Sequence, residues 1–432
     1  MRICVQGLWH LGSVISAGLA SLGHEVVGLD EVGNVESLSR GVPPVFEPGL
    51  GDLVALGLKS GRLRYCASAQ DATANAEVLW VAYDTPIDES DNADAGFVIA
   101  QVERVLPQLA PGTVVLISSQ LPVGSIARLE AFAAAQLPQL ALSFGCSPEN
   151  LRIGQAVDLF LNPDRIVVGA RTARATQVLD RLLRSICPRI EWMGVESAEM
   201  TKHAINAFLA TSATLANEIA SICEIVGADA RQVERGLRTE QRIGSRAYVA
   251  PGPALAGGTL ARDVRYLNRL ETGARFATPL LASIEASNNE HKEWTRRKLQ
   301  RFFPDLSQIV VAVWGLTYKP GTDTLRRSGA VELCDWLIRQ RATVRVHDPA
   351  VRELPGHWSD TVRRCADPLA AVEHAHALVI GTPWPLYREI AASRVLERAQ
   401  SLTVLDATGF VPDYGARRGV RYVALGVPET SR

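Results

Sequence analysis

No stretch of the 432 residues approaches the roughly 20 consecutive apolar positions that a bilayer-spanning helix needs. The amino terminus also lacks a basic run followed by an apolar core and a small-residue cleavage site. Met1 leads straight into the strand-like Ile3-Cys4-Val5, so a secretory signal is not expected. An excess of charge of one sign is missing too. With 45 Lys and Arg against 46 Asp and Glu, there is no electrostatic case for nucleic acid or an anionic membrane as partner. Cysteine is sparse: positions 4, 66, 146, 187, 223, 334 and 365 lie far apart with no CxxC spacing. That argues against a disulfide framework or a zinc site, leaves no metal to expect, and points to a reducing cytosol.

What is present is ordinary for globular α/β chains. Hydrophobic residues make up 47% and charged residues 21%, enough for two or three separately cored domains. Residues 1–30 read as strand, glycine turn, helix and strand. Further strand candidates at Val78–Ala82, Val114–Ser118 and Ile166–Gly169, with helical patterns between them, imply a doubly wound parallel sheet. Between Val195 and Val226 the pattern becomes one long Ala-rich helix without proline or glycine. Such a helix is expected to span between domains and to offer a dimer surface. A second βαβ series starts at Ile309–Gly315 and continues through Thr343–Val346, Ala377–Gly381 and Thr403–Asp406. The expected fold is therefore two Rossmann-like α/β domains joined by a long central helix. The expected divisions are 1–194 for a first Rossmann-like domain, 195–300 for a central helical domain, and 301–432 for a second Rossmann-like domain.

Gly7-Leu8-Trp9-His10-Leu11-Gly12 keeps the first and last glycines of GxGxxG, with Trp9 in place of the second. That middle glycine normally lets the backbone approach a pyrophosphate. Trp9 would either shield the pyrophosphate or obstruct it. Asp30 closes the second strand 18 residues after Gly12, where a ribose-binding carboxylate belongs. Asp30 followed by Glu31 would repel a 2′-phosphate, so NAD is favoured over NADP. The bland alternative is a helix-start turn that binds nothing.

Ordered motifs along nearly the whole chain carry a resemblance to the UDP-glucose/GDP-mannose dehydrogenase family. Gly41-Val42-Pro43-Pro44 with Glu47-Pro48-Gly49-Leu50 resembles GxxPxxEPGL, and Asp84-Thr85-Pro86 stands where the family has GTP. Ser119–Ser125 resembles STVPVGT, Ser147–Arg152 resembles NPEFLR, and Pro163–Gly169 resembles PDRIVIG. Ala198–Lys202 and Asn206–Ala210 resemble AEMxK and NaFLA, Gln241–Gly244 resembles DxRIG, and Gly315–Asp323 with Leu325–Ser328 resembles GLAFKPNTDDLRxS. The loop Pro251–Asp263 resembles PGxGFGGxCxPKD.

The resemblance implies an NAD-dependent enzyme that oxidises the C6 alcohol of a nucleotide sugar as a homodimer. Lys202, Asn206 and Asp263 would hold the reacting oxygen and its water, with Glu149 as a second base. Thr85, Pro86 and Ser119 would join Gly7, Trp9, His10, Leu11, Gly12 and Asp30 around NAD. Leu151, Arg152, Arg242, Gly257, Gly258, Arg262, Lys319 and Arg326 would meet the nucleotide sugar, with Arg242 crossing to a partner subunit. Without the flanking matches each would read as an ordinary surface or capping group.

The departures fall largely in that pocket. Thr259 takes the place of the nucleophilic cysteine and Arg262 that of a lysine. Ile153, Ser118, Ser212 and the arginine-free Asp406-Ala407-Thr408-Gly409 depart further. A threonine hydroxyl has no accessible anion near neutral pH, and its β-branched carbon is crowded. Four outcomes remain open from the sequence: a two-electron dehydrogenase, a reversible oxidation, a slow four-electron enzyme, or a non-catalytic nucleotide-sugar-binding homologue.

Overall fold

The computed structural model describes residues 1–88, 93–256, 258–270, 277–358, 361–399 and 401–428. They divide into two compact units, Met1–Ile205 and Asn206–Arg432.

The first unit carries one eight-stranded sheet, in the order β3-β2-β1-β4-β5-β6-β7-β8. Its strands are β1 (Arg2–Gln6), β2 (Glu25–Leu29), β3 (Leu63–Cys66), β4 (Val78–Val81), β5 (Val114–Ile117), β6 (Ser143–Cys146), β7 (Ile166–Ala170) and β8 (Ile190–Met193). Its helices are α1 (His10–Ser21), α2 (Val32–Ser39), α3 (Leu50–Lys59), α4 (Ala69–Thr73), α5 (Ala95–Val105), α6 (Ser125–Gln136), α7 (Ala156–Leu161) and α8 (Ala173–Leu183). All neighbouring strands run parallel except β6 and β7, which pair antiparallel. β4 and β5 are buried at every position, as expected of strands covered on both faces. Alternation splits their side chains between two cores. Val78 and Trp80 join Ile3 and Val5 on one face, while Leu79 and Val81 join Cys4 on the other.

Helix α1 is built from small residues because it is packed from all sides. A Cβ at Gly18 would fall 2.4 Å from the Phe160 ring of α7. Glu47, with its side chain wholly buried, ties this region together. It accepts hydrogen bonds from His10 Nε2 at 3.0 Å and from the backbone N–H groups of Gly154 and Ala156 at 2.8 Å each. Replacing Glu47 by alanine removes the partner of all three donors, and two of them, on His10 and Ala156, are left in the interior. Such a loss costs about 3–5 kcal/mol. The expected result is a thermal unfolding midpoint for this unit lower by roughly 10 °C, read by calorimetry. Glu47→Gln should recover part of the loss.

Helix α9 (Val195–Val226) begins in the first unit and continues into the second. The second unit adds α10 (Ala230–Thr239), α11 (Thr259–Leu270), α12 (Pro279–Phe302), α13 (Gly329–Arg339), α14 (Pro368–Ala371), α15 (Pro385–Arg388) and α16 (Ala392–Ala399). Its strands are β9 (Val310–Trp314), β10 (Thr343–His347), β11 (Val362–Arg364), β12 (Ala377–Ile380), β13 (Leu402–Asp406) and β14 (Val420–Ala424). They form an all-parallel sheet in the order β11-β10-β9-β12-β13-β14. Counted from its own first strand, this is the 3-2-1-4-5-6 order of a Rossmann sheet, and the first six strands of the other sheet follow the same order. The two parallel α/β sheets and the long helix are thus as the sequence implied. No helix among the described residues is long and apolar enough to cross a membrane.

Within the single chain α9 leaves an apolar row uncovered. Phe208, Leu215 and Ile222 recur at seven-residue steps and are 68%, 55% and 51% exposed, with Ile225 exposed one turn further on.

Candidate functional site

In the first unit the sheet order reverses between β1 and β4, so a crevice opens beyond the carboxyl ends of these strands. Gly7 turns the chain there at φ +89°, and a Cβ on it would meet the Tyr83 ring at 2.7 Å. At Gly12 a Cβ would lie 1.6 Å from the Gly7 carbonyl oxygen. Both glycines are therefore demanded by close approach, whatever binds. Asp30, at the end of β2, accepts from Leu8 N–H at 2.5 Å and Glu31 N–H at 2.7 Å. Each carboxylate oxygen keeps a further acceptor site for a ribose hydroxyl. Trp9 immediately precedes α1 with half its surface exposed. His10 turns its ring inward to Glu47 and the Leu11 side chain is core, so both residues face the turn with their backbone amides.

Across the crevice, Thr85 Oγ1 donates to the Gln120 carbonyl at 2.8 Å, and Pro86 is exposed. The buried Ser119 hydroxyl has no hydrogen-bond partner. It lines a cleft of about 380 Å³ together with Glu149, Glu199, Lys202 and His203. A buried hydroxyl without a partner is costly, and one that lines a cleft fits a ligand's polar group. With two glycines at the turn and an acid closing β2, these residues fit a dinucleotide. They would hold NAD by its ribose, its pyrophosphate and its carboxamide-bearing end.

The first turns of α9 are moored to the strand-end loops by three side chains. Glu199 accepts from Gly124 N–H (2.7 Å) and Ile126 N–H (3.0 Å) at the head of α6, and the His203 ring contacts the Leu121 carbonyl at 3.1 Å. Lys202 Nζ donates to Asn150 Oδ1 at 3.1 Å. Beside it, the Glu149 carboxylate accepts from Leu151 N–H. Burial lifts the Glu149 carboxyl above the usual range, while the Lys202 charge pulls the other way. An elevated carboxyl next to a fixed ammonium is a combination suited to proton transfer. Leu151 packs on the core and Arg152 is exposed. Cys146 lines the same cleft, where burial pushes its thiol far up and disfavours the thiolate.

In the second unit Asn206, one turn beyond Lys202 on α9, donates its amide to the Asp263 carboxylate. Both are buried, at 5% and 1% exposure. Asp263 lies on α11, whose first residue is Thr259, exposed at the helix N-terminus. Gly258 precedes it at φ +111° and accepts from Arg262 N–H through its carbonyl. Burial lowers the guanidinium pKa of Arg262, opposed by Asp263. Gly257 lies outside the described residues. Arg242 pairs with Glu240 at 2.8 Å and is otherwise open to solvent. Lys319 lies over the Tyr318 ring at 5.5 Å, and Arg326 is exposed on the following loop.

Two residues on α12 escaped the sequence reading. Asn288 accepts from Leu255 N–H at 2.7 Å and donates to its carbonyl at 3.0 Å, while the His291 ring contacts the Gly252 carbonyl at 2.8 Å. Asn217 of α9 accepts from Gly252 N–H at 2.9 Å. Together they fix the loop that leads into α11. Their only sequence signal is a three-residue spacing on one helix face, which any solvated helix also shows.

Residues 1–187 match the NAD binding domain of the UDP-glucose/GDP-mannose dehydrogenase family, 196–290 its central domain and 312–413 its UDP binding domain. The chain is 33% identical to a UDP-glucose 6-dehydrogenase of Pseudomonas aeruginosa, over 99% of this chain and 98% of that protein. It is 32% identical to one from Rhizobium meliloti, over 99% and 100%. Among solved structures, a UDP-glucose dehydrogenase from Pyrobaculum islandicum superposes with a TM-score of 0.86 at 28% identity, covering 99% of this chain and 98% of that one. The chain belongs to the UDP-glucose/GDP-mannose dehydrogenase family of NAD-dependent nucleotide-sugar dehydrogenases.

Proposed function

We propose that this chain oxidises the C6 hydroxyl of a UDP- or GDP-hexose and stops after two electrons, at the aldehyde. The observation that carries the reading is the residue at the head of α11. Thr259 stands exposed on the same helix as Asp263, where a thiol would otherwise be presented. NAD, when bound, accepts the hydride from C6. The chain's own part is to take the hydroxyl proton and to steady the oxygen left behind. Glu149 takes the proton. Lys202, an ammonium donor on α9, faces the developing alkoxide, with Asn206 one turn along the same helix as a second donor. Asp263, held by Asn206, orients both the amide and a water.

A second oxidation needs a tetrahedral adduct of the aldehyde that can give up another hydride. A thiol forms one readily, whereas the Thr259 hydroxyl would need a strong base beside it. The aldehyde hydrate is the only other donor, and nothing at Thr259 promotes it. Lys319, Arg326 and the Gly258 backbone hold the nucleotide pyrophosphate, with Leu151, Arg152 and Arg262 about the sugar. The domain limits 1–194, 195–300 and 301–432 follow the same division of labour.

The chain acts as a homodimer, its uncovered α9 row of Phe208, Leu215 and Ile222 meeting a second copy, with Arg242 reaching across. Leu215→Asp should halve the mass read by light scattering; an unchanged dimer would reject this surface. All seven cysteines are free, which suits the cytosol.

The test is turnover with NAD and a panel of UDP- and GDP-sugars, counting NADH per sugar and weighing the product. One NADH with an aldehyde supports the proposal. Two NADH with a uronate defeat it, and absence of both turnover and NAD binding would leave a non-catalytic homologue.

A further inference from the structure

In this chain an aspartate, Asp84, stands where the family's GTP motif has its glycine, three residues beyond the end of β4. β4 neighbours β1 at the point where the sheet order reverses, so Asp84 is delivered to the mouth of the dinucleotide crevice. There its Oδ2 accepts from the Leu11 backbone N–H at 3.1 Å, and the His10 amide also stabilises its charged form. These are the first two amides of α1. In a Rossmann turn the free amides at this helix start, together with the positive end of the helix dipole, are what a pyrophosphate binds.

We infer that Asp84 is a tethered competitor for the cofactor's pyrophosphate, and that its carboxylate sets the affinity for NAD by holding those amides until the phosphates displace it. The inference rests on the NAD-binding assignment. It explains the departure from glycine at this position. A glycine there would leave the amides free, and a carboxylate fills them with a charge of the same sign as the ligand. A site that is competent only when its internal anion has swung out binds with an affinity reduced by the fraction in that state. The residue reaches solvent, so departure from the turn is open to it.

The groups facing Asp84 are His10 from α1 and Glu149 from the loop after β6, with Lys202 of α9 facing Glu149. On its own segment Tyr83 feels Asp30 of β2. Atoms packed round the Asp84 carboxyl raise its pKa above the ordinary range, against the pull of the two amides and of His10. Protonation therefore removes the competing charge as pH falls. The contrast between wild type and an Asp84 variant is therefore the informative quantity.

The experiment is calorimetric binding of NAD, ADP-ribose and adenosine to the full chain and to Asp84→Asn and Asp84→Gly, between pH 5 and 8. Removing the like charge should tighten NAD and ADP-ribose binding at pH 8 by about tenfold or more. Adenosine, which has no phosphate, should gain nothing. Wild-type affinity for NAD should rise towards pH 5, and the rise should be much smaller in Asp84→Asn. Wild-type binding of NAD that neither variant improves would overturn the inference and leave Asp84 as a plain helix cap, its loss seen only in thermal stability. Absence of NAD binding by all three folded proteins would overturn the cofactor assignment along with it. Gain for adenosine equal to that for NAD would also overturn it, because the effect would then not lie at the phosphates.

Discussion

Lys202→Ala should lower kcat for the first oxidation by about a thousandfold while leaving the NAD dissociation constant within a factor of about two. The physical ground is that Lys202 supplies an ammonium to the cleft that Glu149 and Ser119 line, the one Lys or Arg among its described lining residues. A donor aimed at a charge that exists only in the transition state contributes to kcat far more than to binding. The same change should move the pH profile. Burial raises the Glu149 carboxyl, and the Lys202 ammonium is the largest influence holding it down. Without that ammonium the carboxyl rises further. Glu149 must be deprotonated to accept the C6 hydroxyl proton, so the acid limb of kcat/KM should shift to higher pH in Lys202→Ala and Lys202→Met alike. Lys202→Arg keeps the charge and should keep the limb near its original place, though with poorer geometry. A thousandfold loss with an unmoved limb would mean that Glu149 is not the base. An intact kcat would remove Lys202 from the reaction.

The sequence was most legible where one periodicity or one glycine settles the local structure. The helix expected over Val195–Val226 is found with those limits, because thirty-two residues without proline or glycine leave little competition. Strands β2, β4 and β5 stood out as short apolar runs between turns, and the second sheet repeats the first because the same signals recur from Ile309 onward. The position of Asp30 just past the end of β2 was legible because the first βαβ unit fixes its distance from Gly12. What stayed hidden are pairings across long separations. Glu47 meets Gly154 and Ala156 more than a hundred residues away, and no local pattern announces that. For His10, named from its position in the turn, the direction of the ring was hidden: it faces Glu47, while its backbone amide stays at the start of α1. Asp84 was visible as a departure from a motif, but that its carboxylate reaches the amides of α1 depends on the register of β4 against β1. Asn288 and His291 clamp the loop before Thr259 from a helix that the motif reading never used.

Thr259→Cys should change the product rather than merely the rate, raising the yield from one NADH per sugar to two and replacing aldehyde by uronate. Position 259 is the first residue of α11 and exposed, and a cysteine there sits at the positive end of the helix dipole, which lowers a thiol's pKa. The thiolate adds to the C6 aldehyde and, with one proton, gives a hemithioacetal. The hemithioacetal carbon then loses hydride to a second NAD and its hydroxyl loses a proton to the base, leaving a thioester. Water cleaves the thioester, releasing the carboxylate and returning the thiol. Every part this route needs besides the sulfur is already in the proposed first step: the Glu149 base, the Lys202 donor, and Asp263 to hold the hydrolytic water. The loop into α11 is fixed by Asn217, Asn288 and His291 rather than by Thr259, so the exchange should leave its backbone in place. Thr259→Ser supplies the control, since it relieves β-branching without supplying a thiolate, and should still give one NADH. Acid-quenched Thr259→Cys should carry the sugar-acyl adduct on that cysteine by mass spectrometry. A variant that still releases aldehyde at one NADH per sugar would show that the loss of four-electron chemistry reaches beyond this residue, with Arg262 in the family's lysine place as the next position to exchange.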